Sequence, residues 1–118
     1  MGDSAKSRYE IVDGLVNNKL SMVDEISRLK DKELLKEQEI EQTKRNNQRL
    51  IDKHKKEFGL ALENMIISQK NQIEDMVANL DTFKESSKLR QQDLQEKIIA
   101  LDTAIDAIKA ISSGMEKA

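Results

Sequence analysis

Residues 36–49 read KEQEIEQTKRNNQR, and among these fourteen positions Ile40 alone is apolar. Lys, Glu, Gln and Arg are good helix formers, so the stretch reads as helix with almost nothing to bury. Fifty residues on, IIALDTAIDAIKAI (98–111) is mostly apolar. How the chain runs through Asn46-Asn47 decides how those two segments are related, because adjacent short amides compete with helical hydrogen bonds and favour turns.

Composition sets the class. The 118 residues contain no proline, cysteine or tryptophan, 36% are charged and only 3% aromatic. That is the balance of long helices and coiled coils. With Tyr9, Phe58 and Phe83 as the whole aromatic complement, a core must come from Leu, Ile, Val, Met and Ala, which suits narrow helical seams. The lack of cysteine removes disulfide and thiolate chemistry and points to the cytoplasm. No apolar run approaches the ~18 residues that span a bilayer, and MGDSAKSRYE has no apolar signal-peptide core. Lys6 stands where a myristoylation pattern beginning at Met1-Gly2 requires Ser or Thr.

Three apolar stripes follow the 3.6-residue period. The first takes in Ile11, Val12, Leu15, Val16, Leu20, Val23, Ile26 and Leu29. The second takes in Phe58, Leu62, Met65, Ile66, Ile73, Met76, Leu80 and Phe83. The third repeats Leu94, Ile98, Leu101, Ile105 and Ile108 at four-three spacing, widened by Ala104, Ile111 and Met115. Ser7 and Glu10 have the spacing of a capping box, and Ser113-Gly114 reads as a helix stop.

With turns at Asn46-Asn47 and at Ser86-Ser87, the expected fold is all-α: an elongated antiparallel bundle of three helices over 7–45, 48–85 and 88–113 in a single domain, 1–118. In that reading the stripes coincide at one end and 36–57 projects as a polar arm, with Glu37 facing Lys56 and Lys36 facing Glu57. Tyr9 then packs near Phe83. The competing reading is a coiled-coil hairpin or long coiled coil whose helix passes unbroken through 46–47. Its seam runs through Ile26, Leu29, Ile40, Lys44, Asn47, Ile51, His54, Phe58 and Met65, and an asparagine at such a position can fix register.

Chemistry is sparse. His54 is the one histidine, no Glu stands three residues before it as a di-metal bundle motif requires, and no nucleophile triad or glycine-rich phosphate loop is present. Neither catalysis nor a metal or other cofactor is expected. The 22 acidic and 20 basic residues fall mostly at spacings that pair along helices.

The exception is Lys44, Arg45, Arg49, Lys53, Lys55 and Lys56, which with Asp52 give 44–56 a charge of +5 in a chain of net charge −2. Arg45, Arg49, Lys53 and Lys56 recur on one helical face. The expected role is a non-enzymatic scaffold, adaptor or assembly subunit, itself a homo-oligomer, presenting this basic face to a protein partner. Phosphate or anionic-lipid contact is the alternative, weakened for nucleic acid by the lack of aromatics that stack on bases. Tyr9 and Asp13 have the Y-x-x-x-D spacing of an export pattern in small helical hairpins of type VII-like secretion. Here the pair stands at the start of the chain and the Trp-x-Gly turn of those hairpins is missing.

Overall fold

The computed structural model describes residues 2–56 and 59–117, with side chains over 7–56 and 59–114. Helix α1 spans Gly2–His54 and α2 spans Leu60–Lys117, 53 and 58 residues long. No strand occurs among the described residues. The all-α expectation therefore holds, with two helices in place of three.

Both expected turns lie inside helices. At Asn46-Asn47 the side chains do not reach for the backbone: Asn46 Oδ1 accepts from Gln42 Nε2 at 3.0 Å, and Asn47 is half-buried. At Ser86-Ser87 the Ser86 hydroxyl donates back to the Phe83 carbonyl at 3.1 Å, a bond that a helix interior tolerates. Ser87 is buried, 2% exposed. Ser7 likewise lies within α1 rather than capping it, and Ser113-Gly114 lies within α2.

The break between the helices falls instead between His54 and Leu60, with a turn at Lys55-Lys56. Gly59 has φ +116°, a conformation that glycine adopts without strain, and its carbonyl accepts from the Glu63 N–H at 3.2 Å. That is the first bond of α2, so Gly59 is its N-cap. The flanking charges suit both helix ends, since Lys53 and His54 occupy the last turn of α1 and Glu63 the first turn of α2.

The chain divides into two compact units, Met1–Leu29 with Lys88–Ala118, and Lys30–Ser87. In the first, Ile26, Leu94 and Ile98 form a buried cluster against which Met22 and Leu29 pack. Lys19 pairs with Asp102 at 2.7 Å and Arg90 grips Glu25 through two bonds of 3.1 and 3.2 Å. As the α1 number rises the α2 number falls, so the segments are antiparallel. The less exposed positions of α2 here are Leu94, Ile98, Leu101, Ile105 and Ile108, the expected seam. On α1 the seam is Val12, Leu15, Lys19, Met22, Ile26 and Leu29, while Ile11, Leu20 and Val23 are 50%, 58% and 46% exposed. Tyr9, also exposed, lines a small cleft with Val12, Lys109, Ser112 and Ser113; Phe83, its expected neighbour, instead receives the Lys36 ammonium 5.2 Å from its ring centroid.

The second unit is a helical hairpin closed by the Gly59 turn. Ile40 and Leu80 are its buried apolar residues, 5% and 7% exposed. The segment 36–54 is one side of this hairpin and not an arm folded on itself: Glu37 pairs with Lys84 at 2.8 Å in place of Lys56. Lys36 lies over Phe83, while Glu57 and the stripe residue Phe58 lie outside the described residues, as does the Met115 side chain. The hydrogen bond that the Lys84 ammonium donates to the Glu37 carboxylate, helped by that carboxylate's charge, holds Lys84 above the ordinary lysine value against the opposing pull of desolvation.

Candidate functional site

The basic cluster occupies the last three turns of α1 and the turn after it. Arg45, Arg49 and Lys53 stand at four-residue intervals, all exposed, and so share one helical face. Arg45 Nη2 donates to Gln42 Oε1 at 2.9 Å, which steadies its guanidinium without neutralising it. Asp52, the one acid in the run, accepts from Gln48 Nε2 at 3.1 Å. Among the described residues Arg49 and Lys53 have no carboxylate partner.

Lys44 departs from that face. It is turned toward α2, pairs loosely with Glu41 at 3.4 Å and lines a groove. Lys55 and Lys56 lie past the end of α1, both exposed. The helical stripe therefore ends at Lys53, and Lys56 extends it only as part of the turn. His54 is half-buried in the last turn of α1.

The groove, about 370 Å³, runs along one side of the same hairpin unit. Ile51, Ile66 and Ile73 supply its apolar surface, Asn47 and Gln69 lie within it, and Lys44, Gln48, Lys70 and Glu74 border it. Asn47 Nδ2, Gln69 Nε2 and Gln69 Oε1 are buried atoms without a hydrogen-bond partner in the chain. A buried polar atom left unpaired costs about 1–3 kcal/mol, so this layer is a local weakness of the isolated hairpin.

The groove has a cause in the seam. The half-buried positions step 43, 47, 51 on α1 and 65, 69, 73 on α2, two successive four-residue steps where a heptad alternates four with three. Such a stutter locally unwinds helix pairing. Gln69 is the seam residue that the sequence reading misses here, whereas Ile66 stands in the second stripe. The signal was the break in the three-four alternation at 69, which is hard to weigh without knowing which helix opposes it.

No protein-family model matches the chain, and comparison with curated proteins and with solved structures finds no significant match. The class defined by the fold is an all-α chain of two long helices joined by one glycine-capped turn. Among the described residues no helix is long and apolar enough to cross a membrane.

Proposed function

We propose that the chain is a non-enzymatic assembly subunit, a helical scaffold or adaptor that oligomerises with itself and docks on an acidic protein surface through Lys44, Arg45, Arg49, Lys53, Lys55 and Lys56. The observation that carries the docking reading is the exposed row of Arg45, Arg49 and Lys53, whose charge the neighbouring acids leave largely uncompensated. Long-range attraction from such a row speeds encounter with an acidic partner and orients it. The cytoplasmic location expected from the sequence belongs to the same proposal.

The test is the triple replacement Arg45→Glu, Arg49→Glu, Lys53→Glu. These side chains are exposed, so helicity and melting stay within about 0.5 kcal/mol of wild type while capture of the protein partner is lost. Substantial unfolding would show the region to be core, and undiminished capture would show the row to be only a solvated face. A nucleic-acid titration at two salt concentrations checks the alternative, since phosphate neutralisation gives binding that falls steeply with salt.

A further inference from the structure

Charge in the hairpin unit is segregated along its length. Residues 44–56, at the turn end, carry +5. At the other end 30–43 and 74–87 lie alongside one another, as the Glu37 pair with Lys84 and the placement of Lys36 over Phe83 require, and nine carboxylates against four lysines leave −5 there. Part of that acidity forms a row. Glu74, Asp81 and Glu85, with Ala78 between them, recur at four, three and four residues on one face of α2, all exposed. That face is turned away from α1, since Ile73, Met76 and Leu80 hold the inner side. Lys84, the one lysine of 74–87, reaches inward to Glu37 at 2.8 Å. Among the described residues none of the three acids is in a salt bridge.

This row complements Arg45, Arg49 and Lys53 in sign and in spacing. Arg45 to Arg49 and Asp81 to Glu85 are each four residues, about 6 Å of helix. With α1 of one copy antiparallel to α2 of another, Arg45 meets Glu85 and Arg49 meets Asp81, while Lys53 and Lys56 run on toward Glu74. A parallel approach sets Glu74 opposite Gln38 instead and leaves it unpaired. We propose that the acidic surface taken by the basic row is the face bearing Glu74, Asp81 and Glu85 on a second copy of this chain. The two rows stand on the outer faces of different helices of one hairpin unit, so each copy engages two neighbours. Such a contact is head-to-tail and builds rings or open arrays, not two-fold pairs. Exposed ion pairs contribute little each and are screened by salt, so the assembly is weak contact by contact and dissolves as salt rises. The inference rests on the docking reading and names its partner.

The test is sedimentation velocity of the full chain up to millimolar concentration at low and high salt. At low salt wild type grows past two copies, and at high salt it returns to one. Arg45→Gln with Arg49→Gln, and separately Asp81→Asn with Glu85→Gln, weaken the contact about tenfold. Glu10→Gln with Asp13→Asn, the same change of charge as in the acidic pair but at exposed acids elsewhere, leaves it unaltered. Mixed in equal amounts, the two weakened variants associate with wild-type affinity but stop at pairs, because each supplies the row that the other lacks. That rescue, with helicity from circular dichroism, also shows both variants to be folded. A wild type that stays single or halts at two copies at low salt, a basic-row or acidic-row variant that assembles undiminished, a control weakened as much as they are, or a mixture that does not associate overturns the proposal. A single wild type whose basic-row variant loses capture of another acidic protein defeats this inference alone; if replacing Arg45 and Arg49 alters neither assembly nor capture, the docking reading itself fails.

Discussion

Leu94 has 1% of its surface exposed and sits with Ile26 and Ile98 at the centre of the first unit. In so narrow a core few neighbours can move in to fill a void, so Leu94→Ala should cost about 2–5 kcal/mol, read from urea unfolding. One position earlier, Asp93 is held below the usual carboxylate value, first by its hydrogen bond from Lys97 at 2.9 Å and then by the charges of Lys97 and Arg90. A carboxylate depressed by folding contributes stability above its unfolded value, near 3.8, and loses it as the pH falls through the lower folded value. The melting difference between wild type and Asp93→Asn should therefore be present at neutral pH and shrink below about pH 4. Lys84 has the opposite sign. Raised by Glu37, its contribution is complete below 10.5 and is lost as the pH climbs through the higher folded value.

At the scale of the helix, glycine and asparagine act according to their place in it. Gly14 lies in the interior of α1 with nothing within 4 Å of an added Cβ, so Gly14→Ala should stabilise by about 0.4–1 kcal/mol. Gly59→Ala meets no clash either, but its φ of +116° is unfavourable for any L side chain, and the change should destabilise by about 1–3 kcal/mol. Thermal unfolding of the two variants should shift in opposite directions. Asn46→Ala discriminates further: inside a helix it is neutral or stabilising by up to about 0.7 kcal/mol, whereas at a turn it would destabilise.

The same elements show what the sequence made legible. Helical class and the seam of α2 from Leu94 to Ile108 were readable because apolar residues mark every turn there. On α1 the reading followed Leu20 and Val23, while packing selected Lys19 and Met22, whose long flexible stems can cover a seam while the Lys19 ammonium reaches Asp102 at its edge. Asn46-Asn47 looked like a turn because propensity is a weak prior, and side-chain bonds along the helix surface were enough to override it. The actual reversal had a signal: a basic last turn followed by glycine. It was masked by the assumption that the polar stretch must lie outside the packed region. The basic residues were legible as a group, but the groove was not, since it depends on α2 lying alongside 44–51.

For the whole molecule the central claim is that α1 runs straight through Asn46-Asn47 to His54 and packs in the hairpin unit against α2, which begins at Leu60. The basic row, the groove and the polar layer all depend on it. A dipolar distance measurement between nitroxides at Gln38 and Lys53 tests it within one helix and one unit. An unbroken α1 places fifteen residues of rise between them, about 22 Å. A chain folded back at Asn46-Asn47 would bring the two positions side by side at the spacing of packed helices, about 10 Å, and that shorter distance would contradict the account.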